Sequence, residues 1–89
     1  MPDGSTSTVV EVRVEFKPGV VDPEAASIEK SLALLGLPEV SRVSTARVYR
    51  MEFGTIPLAE AERLAARAVD RLLANPVIHR VTITPARGP

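Results

Sequence analysis

Alternating strand patterns interleaved with helical periodicity predict an α+β domain of order β-α-β-α-β, with a small, mostly antiparallel sheet and both helices on one face. Three observations lead there. Val10, Val12, Val14 and Phe16 share one parity, two later stretches repeat apolar residues at helical spacing, and Pro or Gly marks the junctions between them.

The first strand, Thr8 to Phe16, has a core face of those four residues and a wet face of Val9, Glu11, Arg13 and Glu15. The chain turns at Lys17-Pro18-Gly19, and Asp22 and Pro23 begin a helix. The aspartate can accept bonds from the free N–H groups of the first turn, and a proline at the first helical position has no N–H to lose. This helix is expected from Pro23 to about Leu35, with Ala25, Ile28, Leu32 and Leu35 inward, Glu24 near its positive end and Gly36 as its stop.

Ser41 to Phe53 reads as one long extended stretch, with Val43, Thr45, Arg47, Tyr49, Met51 and Phe53 on one parity. Thr45 and Arg47 interrupt that apolar face, so the strand is expected to bend or bulge near Ala46, or to leave the core in its first half. Gly54 and Pro57 mark the next turn, and a second helix to about Ala74 places Leu58, Ala61, Ala65, Ala68 and Leu72 inward. Asn75, which tolerates a left-handed cap, and Pro76, which cannot continue a helix, precede a last strand from Ile78 to Thr84. Residues 1–7 and 85–89 are expected to be mobile ends of one domain spanning 8–84. The arrangement is similar to the ferredoxin-like split fold, but its central hairpin would need the long strand to fold back at Ala46, where no tight-turn sequence occurs. The sheet is therefore short of strands, and its edges are expected to extend across a dimer.

At 89 residues the chain buries only about two-thirds of the surface its unfolded form exposes, so its core is thin and self-association is expected. Eleven Lys plus Arg balance eleven Asp plus Glu, which argues against polyanionic partners: no nucleic acid, no anionic membrane. Cysteine is absent, which removes disulfides and thiolate chemistry and fits a reducing, cytoplasmic setting. The polar first eight residues have no basic or apolar run of a signal peptide, and no segment has the length of a membrane span.

No nucleophile–base pair, carboxylate pair or metal-ligand spacing stands out, so catalytic, cofactor and metal residues are all expected to be none. His79 is the only histidine and reads as a partly exposed strand residue. Lys17-Pro18-Gly19 reads as a turn before a capped helix, because one glycine beside a proline makes a poor phosphate cradle. The candidate contact residues are Thr45 and Arg47, which break the strand's apolar face, and Arg63, Arg67 and Arg71, which recur every four residues along the second helix. The arginine row suits either a solvated face or a docking stripe for an acidic partner. Phe16, Tyr49 and Phe53 all carry core parity, leaving no aromatic platform for stacking bases.

Two segments, Lys17-Pro18-Gly19-Val20-Val21-Asp22-Pro23 and Leu72-Leu73-Ala74-Asn75-Pro76-Val77-Ile78, together with Ile28-Glu29-Lys30-Ser31-Leu32 and Glu39-Val40-Ser41-Arg42-Val43, resemble the PurS family. This is the small-subunit family of phosphoribosylformylglycinamidine synthase. The resemblance runs from Val10 to Thr84 and implies a PurS-like domain, non-catalytic, cytoplasmic and self-associating as a homodimer or tetramer. It implies a bridge between a glutaminase subunit, which releases ammonia, and an ATP-dependent synthetase subunit, which uses it in de novo purine biosynthesis. ATP, Mg and glutamine would then be used by the complex, with no cofactor in this subunit. The chain departs from the family pattern in having Ser44 and Ala46-Arg47-Val48 where Arg and then Gly-Lys-Tyr are usual, and His79-Arg80 in place of an acidic pair. The competing reading is a stand-alone dimeric ferredoxin-like module that senses a small molecule. A dimeric ferredoxin-like barrel enzyme would want a polar cluster inside the sheet, which the valine face does not offer.

Overall fold

The computed structural model describes residues 7–86, so most of both expected tails lies outside the described residues. The valine alternation becomes β1 (Thr8–Phe16), the middle of a three-stranded sheet of order β2-β1-β3. Both β2 (Ala46–Phe53) and β3 (His79–Ala86) run antiparallel to β1 and hence in the same direction as each other. The chain passes from one to the other over β1, and helix α2 (Leu58–Ala68) makes that crossing. Pro85 and Ala86, expected in the C-terminal tail, pair with Val10 and Val9 at the end of β3.

Register orders the core face in rows. Val12 lies between Tyr49 and Ile83, Val10 between Met51 and Pro85, and Val14 between Arg47 and Val81. Val10 and Val12 have no exposed surface, and neither do Ala61 and Ala65 of α2, which complete the same cluster. Alanine at both helix positions lets α2 approach the valines without a longer side chain holding it off. On the opposite face Glu11, Arg13 and Glu15 alternate as expected, and Glu15 accepts from both Arg13 (3.0 Å) and Arg80 (3.1 Å). Val9, expected on the wet face, is buried as well.

The long strand is shorter than expected. Pairing with β1 starts at Ala46, opposite Glu15, and residues 41–45 pair with no strand. The break near Ala46 is therefore a departure from the sheet, the second of the two outcomes the interrupted apolar parity allowed.

Helix α2 also changes character. After Ala68 it continues as a π-turn, Val69–Leu73, closed by the Ala74 N–H donating to the Val69 carbonyl (3.1 Å). One extra residue in that turn shifts the phase of everything after it. Leu72, expected inward, is 82% exposed, and Leu73 is half-buried instead. Leu58, also expected inward, is 42% exposed at the first turn.

Helix α1 (Pro23–Leu34) starts and stops as the residues dictate. Asp22 Oδ1 accepts from the Ala25 N–H (3.0 Å). At the other end Gly36 takes φ 86°, with Leu37 N–H donating to the Leu32 carbonyl (2.9 Å) and Gly36 N–H to that of Ala33 (3.2 Å), the left-handed stop that a glycine permits.

Its packing departs from expectation. Two helices on one face of the sheet were expected; α2 packs there, against β1 and β3, and α1 has no packing of that extent on any strand. Of the four inward residues expected on α1, Ala25 alone is buried, while Ile28 and Leu35 are exposed and Leu32 is half-buried. Beyond Ala25 the helix is largely exposed. The radius of gyration is accordingly 17.0 Å, against about 12 Å for a compact chain of this length, and the extents are 51 × 31 × 15 Å.

Candidate functional site

The two segments that carry the family resemblance meet at one corner of the sheet. Lys17-Pro18-Gly19-Val20 closes as a turn, with Val20 N–H donating to the Lys17 carbonyl (3.1 Å) and Gly19 at φ 85°, the pattern of proline second and glycine third in a type II turn. The Lys17 N–H donates to the Ile78 carbonyl (2.9 Å) and its Nζ to the Pro76 carbonyl (2.6 Å), fastening this turn to the second segment.

Asn75 does not take the left-handed cap expected of it, since no described residue other than glycine has positive φ. Its Oδ1 accepts from the Val77 N–H (2.9 Å) and its carbonyl accepts from the N–H groups of Ile78 (3.1 Å) and His79 (2.8 Å). The side chain thus closes a local turn, which removes the need for a left-handed residue. His79 Nδ1 accepts from the Asn75 N–H (2.9 Å), and its ring lies 5.2 Å from that of Phe16, so the histidine is a half-buried part of the turn. Arg80 pairs with Glu15. Both residues of the His79-Arg80 departure are therefore engaged within the chain.

Beside this corner is an open groove of about 480 Å³. It is lined by Val14, Phe16 and Tyr49 from one end of the core face and by Leu73 from the π-turn, together with Arg47, His79 and Asp22 at the root of α1. Several apolar side chains of the chain stand in water: Val21 at 76%, Leu72 at 82% and Val77 at 76% exposure, besides Leu34 and Leu35 at the end of α1. Exposed apolar groups in this number mark surfaces that meet another protein. Among the described residues, both outer strands, β2 and β3, are paired on one side only.

The five candidate contact residues fall in three places. Thr45 is turned inward on its own chain: its N–H (3.2 Å) and Oγ1 (2.7 Å) both donate to Asp22 Oδ2. Arg47 sits on the core face at the groove. Arg63 donates to Glu60 (2.8 Å); Arg63 and Arg67 lie in α2, and Arg71 lies beyond it in the π-turn, which offsets it from the regular helical row. What sequence reasoning missed is Asp22 as a junction: its cap role was legible from the Asp-Pro pair, but Thr45 is 23 residues away and nothing local signals the contact.

These donors hold the Asp22 carboxyl below the ordinary aspartate value of 3.8, first through the Ala25 N–H and then through the Thr45 hydroxyl. The Arg80 and then the Arg13 guanidinium likewise hold Glu15 below 4.5. A carboxylate whose pKa is depressed by folding adds stability above its unfolded value, and that stability is lost as pH falls through the folded one. Thermal midpoints should therefore fall on acidification below about pH 4, less steeply in Asp22→Asn than in the parent chain. Parallel pH profiles for the two would mean that Asp22 is not held as the ionised form.

Among the described residues no group of three or more His, Asp or Glu is placed to hold a metal ion, and no helix is long and apolar enough to cross a membrane. A crossed-over α+β sheet with open edges, an unpacked apolar helix and a bare groove defines a small assembly module. Over residues 9–87 the sequence matches PurS, described as phosphoribosylformylglycinamidine (FGAM) synthase, and the chain belongs to that family. It is 43% identical over 75 residues to the phosphoribosylformylglycinamidine synthase subunit PurS of Archaeoglobus fulgidus, covering 84% of this chain and 94% of that one. A solved structure described as the PurS subunit of FGAM synthetase is 42% identical, with a TM-score of 0.78 over 85% of this chain and 89% of the other. The crystal structure of Methanocaldococcus jannaschii PurS, described as one of the subunits of formylglycinamide ribonucleotide amidotransferase in the purine biosynthetic pathway, is 27% identical, with a TM-score of 0.80 over 92% and 99% of the two chains.

Proposed function

We propose that this chain is the non-catalytic subunit of phosphoribosylformylglycinamidine synthase that holds the glutaminase and the ATP-dependent synthetase in register as a homodimer, in the cytoplasm, and so supports ammonia transfer in purine biosynthesis. The observation that carries the reading is the family likeness over residues 9–87, which takes in nearly the whole described fold. The geometry supports it with apolar surface beyond what one small chain buries.

The physical reason for a bridge lies in the chemistry of the nitrogen donor. Glutamine hydrolysis releases ammonia, which in neutral water is mostly protonated and then has no lone pair with which to attack. Holding the site that makes it against the site that consumes it shortens its path and limits its exposure to solvent. ATP, Mg and glutamine are bound by the partners in this reading, and this chain supplies alignment alone.

Purified glutaminase and synthetase from the same source, mixed with and without this chain, test the reading. Product formed from glutamine should fall severely without it, while product formed from concentrated free ammonia should change little. Equal glutamine-dependent rates in the two mixtures would overturn the bridging role.

A further inference from the structure

We infer that His79 is a pH-sensitive latch: its neutral ring holds the turn of residues 75–79 closed, and protonation of that ring at Nδ1 loosens the turn. The latch is independent of the bridging function proposed above. Four hydrogen bonds meet at Asn75. Its carbonyl accepts from the N–H groups of Ile78 and His79, its Oδ1 accepts from the Val77 N–H, and its own N–H donates to His79 Nδ1 (2.9 Å). The first three join amide groups, which do not titrate; the fourth has an imidazole as its acceptor. Because a backbone N–H can only donate, Nδ1 must carry no proton, and the neutral ring keeps its proton on Nε2. A proton added at Nδ1 turns the acceptor into a second donor, so that N–H faces N–H and the bond is lost.

The surroundings fix the ring and leave the proton to decide. Asn75 directly follows Ala74, whose N–H closes the π-turn, so the imidazole supplies the partner for the next amide of the chain. His79 opposes Phe16 in the β1–β3 register, with ring centroids 5.2 Å apart, which holds the imidazole at the start of the strand while the turn closes onto it. The charged groups about it are Glu15, Asp22, Glu24 and Arg47, which line the same groove, Arg80, which is bonded to Glu15, and Lys17, whose Nζ donates to the Pro76 carbonyl within the turn. Glu15 and Asp22 are held below their ordinary values by their own donors and stay ionised where an imidazole takes up a proton. Arginine and lysine keep their charge there as well. The bond is therefore present on the alkaline side of the imidazole range, about pH 5 to 8, and is lost as pH falls through it.

The test follows the full, isotope-labelled chain by NMR. Amide exchange with water is expressed as protection relative to an unstructured peptide, with Asn75 as the reporter and Val10 and Val12 of β1 as controls, at about pH 7.5 and about pH 5. In the parent chain the ring nitrogens of His79 should show the Nε2–H tautomer at the higher pH. Protection at Asn75 should fall several-fold at the lower pH, the loss expected for one net hydrogen bond, with the two valines unchanged. His79→Asn offers an amide oxygen as acceptor and cannot titrate, so its protection at Asn75 should be the same at both pH values. His79→Leu offers no acceptor, and its protection should be low at both. An Nδ1–H tautomer at the higher pH, protection at Asn75 that does not change with pH in the parent, or an equal fall in His79→Asn would overturn the inference. Should His79→Leu lose the fold, as the two valines would report, the parent and His79→Asn decide the matter between them.

Discussion

Replacing Val12 by alanine should lower the stability of the fold by about 2–3 kcal/mol. Val12 has no exposed surface and sits in the middle strand between Tyr49 and Ile83, in the cluster that Ala61 and Ala65 close from above. Truncation removes two methyl groups and leaves a void that the small facing alanines cannot fill by changing rotamer. For a domain of this size such a loss is a large share of the total, which for small proteins is marginal. Urea denaturation at one fixed protein concentration, so that association does not move the midpoint, should show a lower midpoint with an unchanged slope. An unchanged midpoint would mean that α2 does not seat over this valine.

Enlarging Ala61 to leucine should cost about 1–3 kcal/mol by the opposite route. Ala61 has no exposed surface, and its short side chain sets how closely α2 approaches β1. A leucine there must either lift the helix or force its neighbours off their rotamers. The comparison is Ala66→Leu, at an exposed position of the same helix, where the change should be within about 0.5 kcal/mol of zero. Equal effects at the two sites would place the helix in a different rotation on the sheet.

The parts of the fold that could be read beforehand are those that repeat locally. The parity of Val10, Val12, Val14 and Phe16 marked β1 to the residue, and Asp22-Pro23 with Gly36 marked the two ends of α1, because a cap and a left-handed stop are decided by a few adjacent residues. The broken parity at Thr45 and Arg47 left open a bend near Ala46 or a departure of the first half; residues 41–45 lie outside the sheet, while Arg47 stays in it opposite Val14. The candidate contacts were less legible. The arginine row presumed an unbroken α-helix, and the π-turn at Val69–Leu73, which has no local signature among Val69-Asp70-Arg71-Leu72-Leu73, moved Leu72 outward and offset Arg71.

Local residue chemistry, then, decided where β1 and α1 begin and end, which face of β1 is apolar, and the turn at Lys17-Pro18-Gly19, since each depends on neighbours a few positions apart. Tertiary structure alone decided that α1 leaves the sheet to α2, that Asp22 and Glu29 hold residues 41–45, and that Lys17 ties the two family segments into one corner. Periodicity reports that a helix has an apolar side but not what that side will meet. That choice depends on which surfaces compete for the same few valines, and the small alanine face of α2 approaches them closely, leaving the bulkier leucines of α1 exposed.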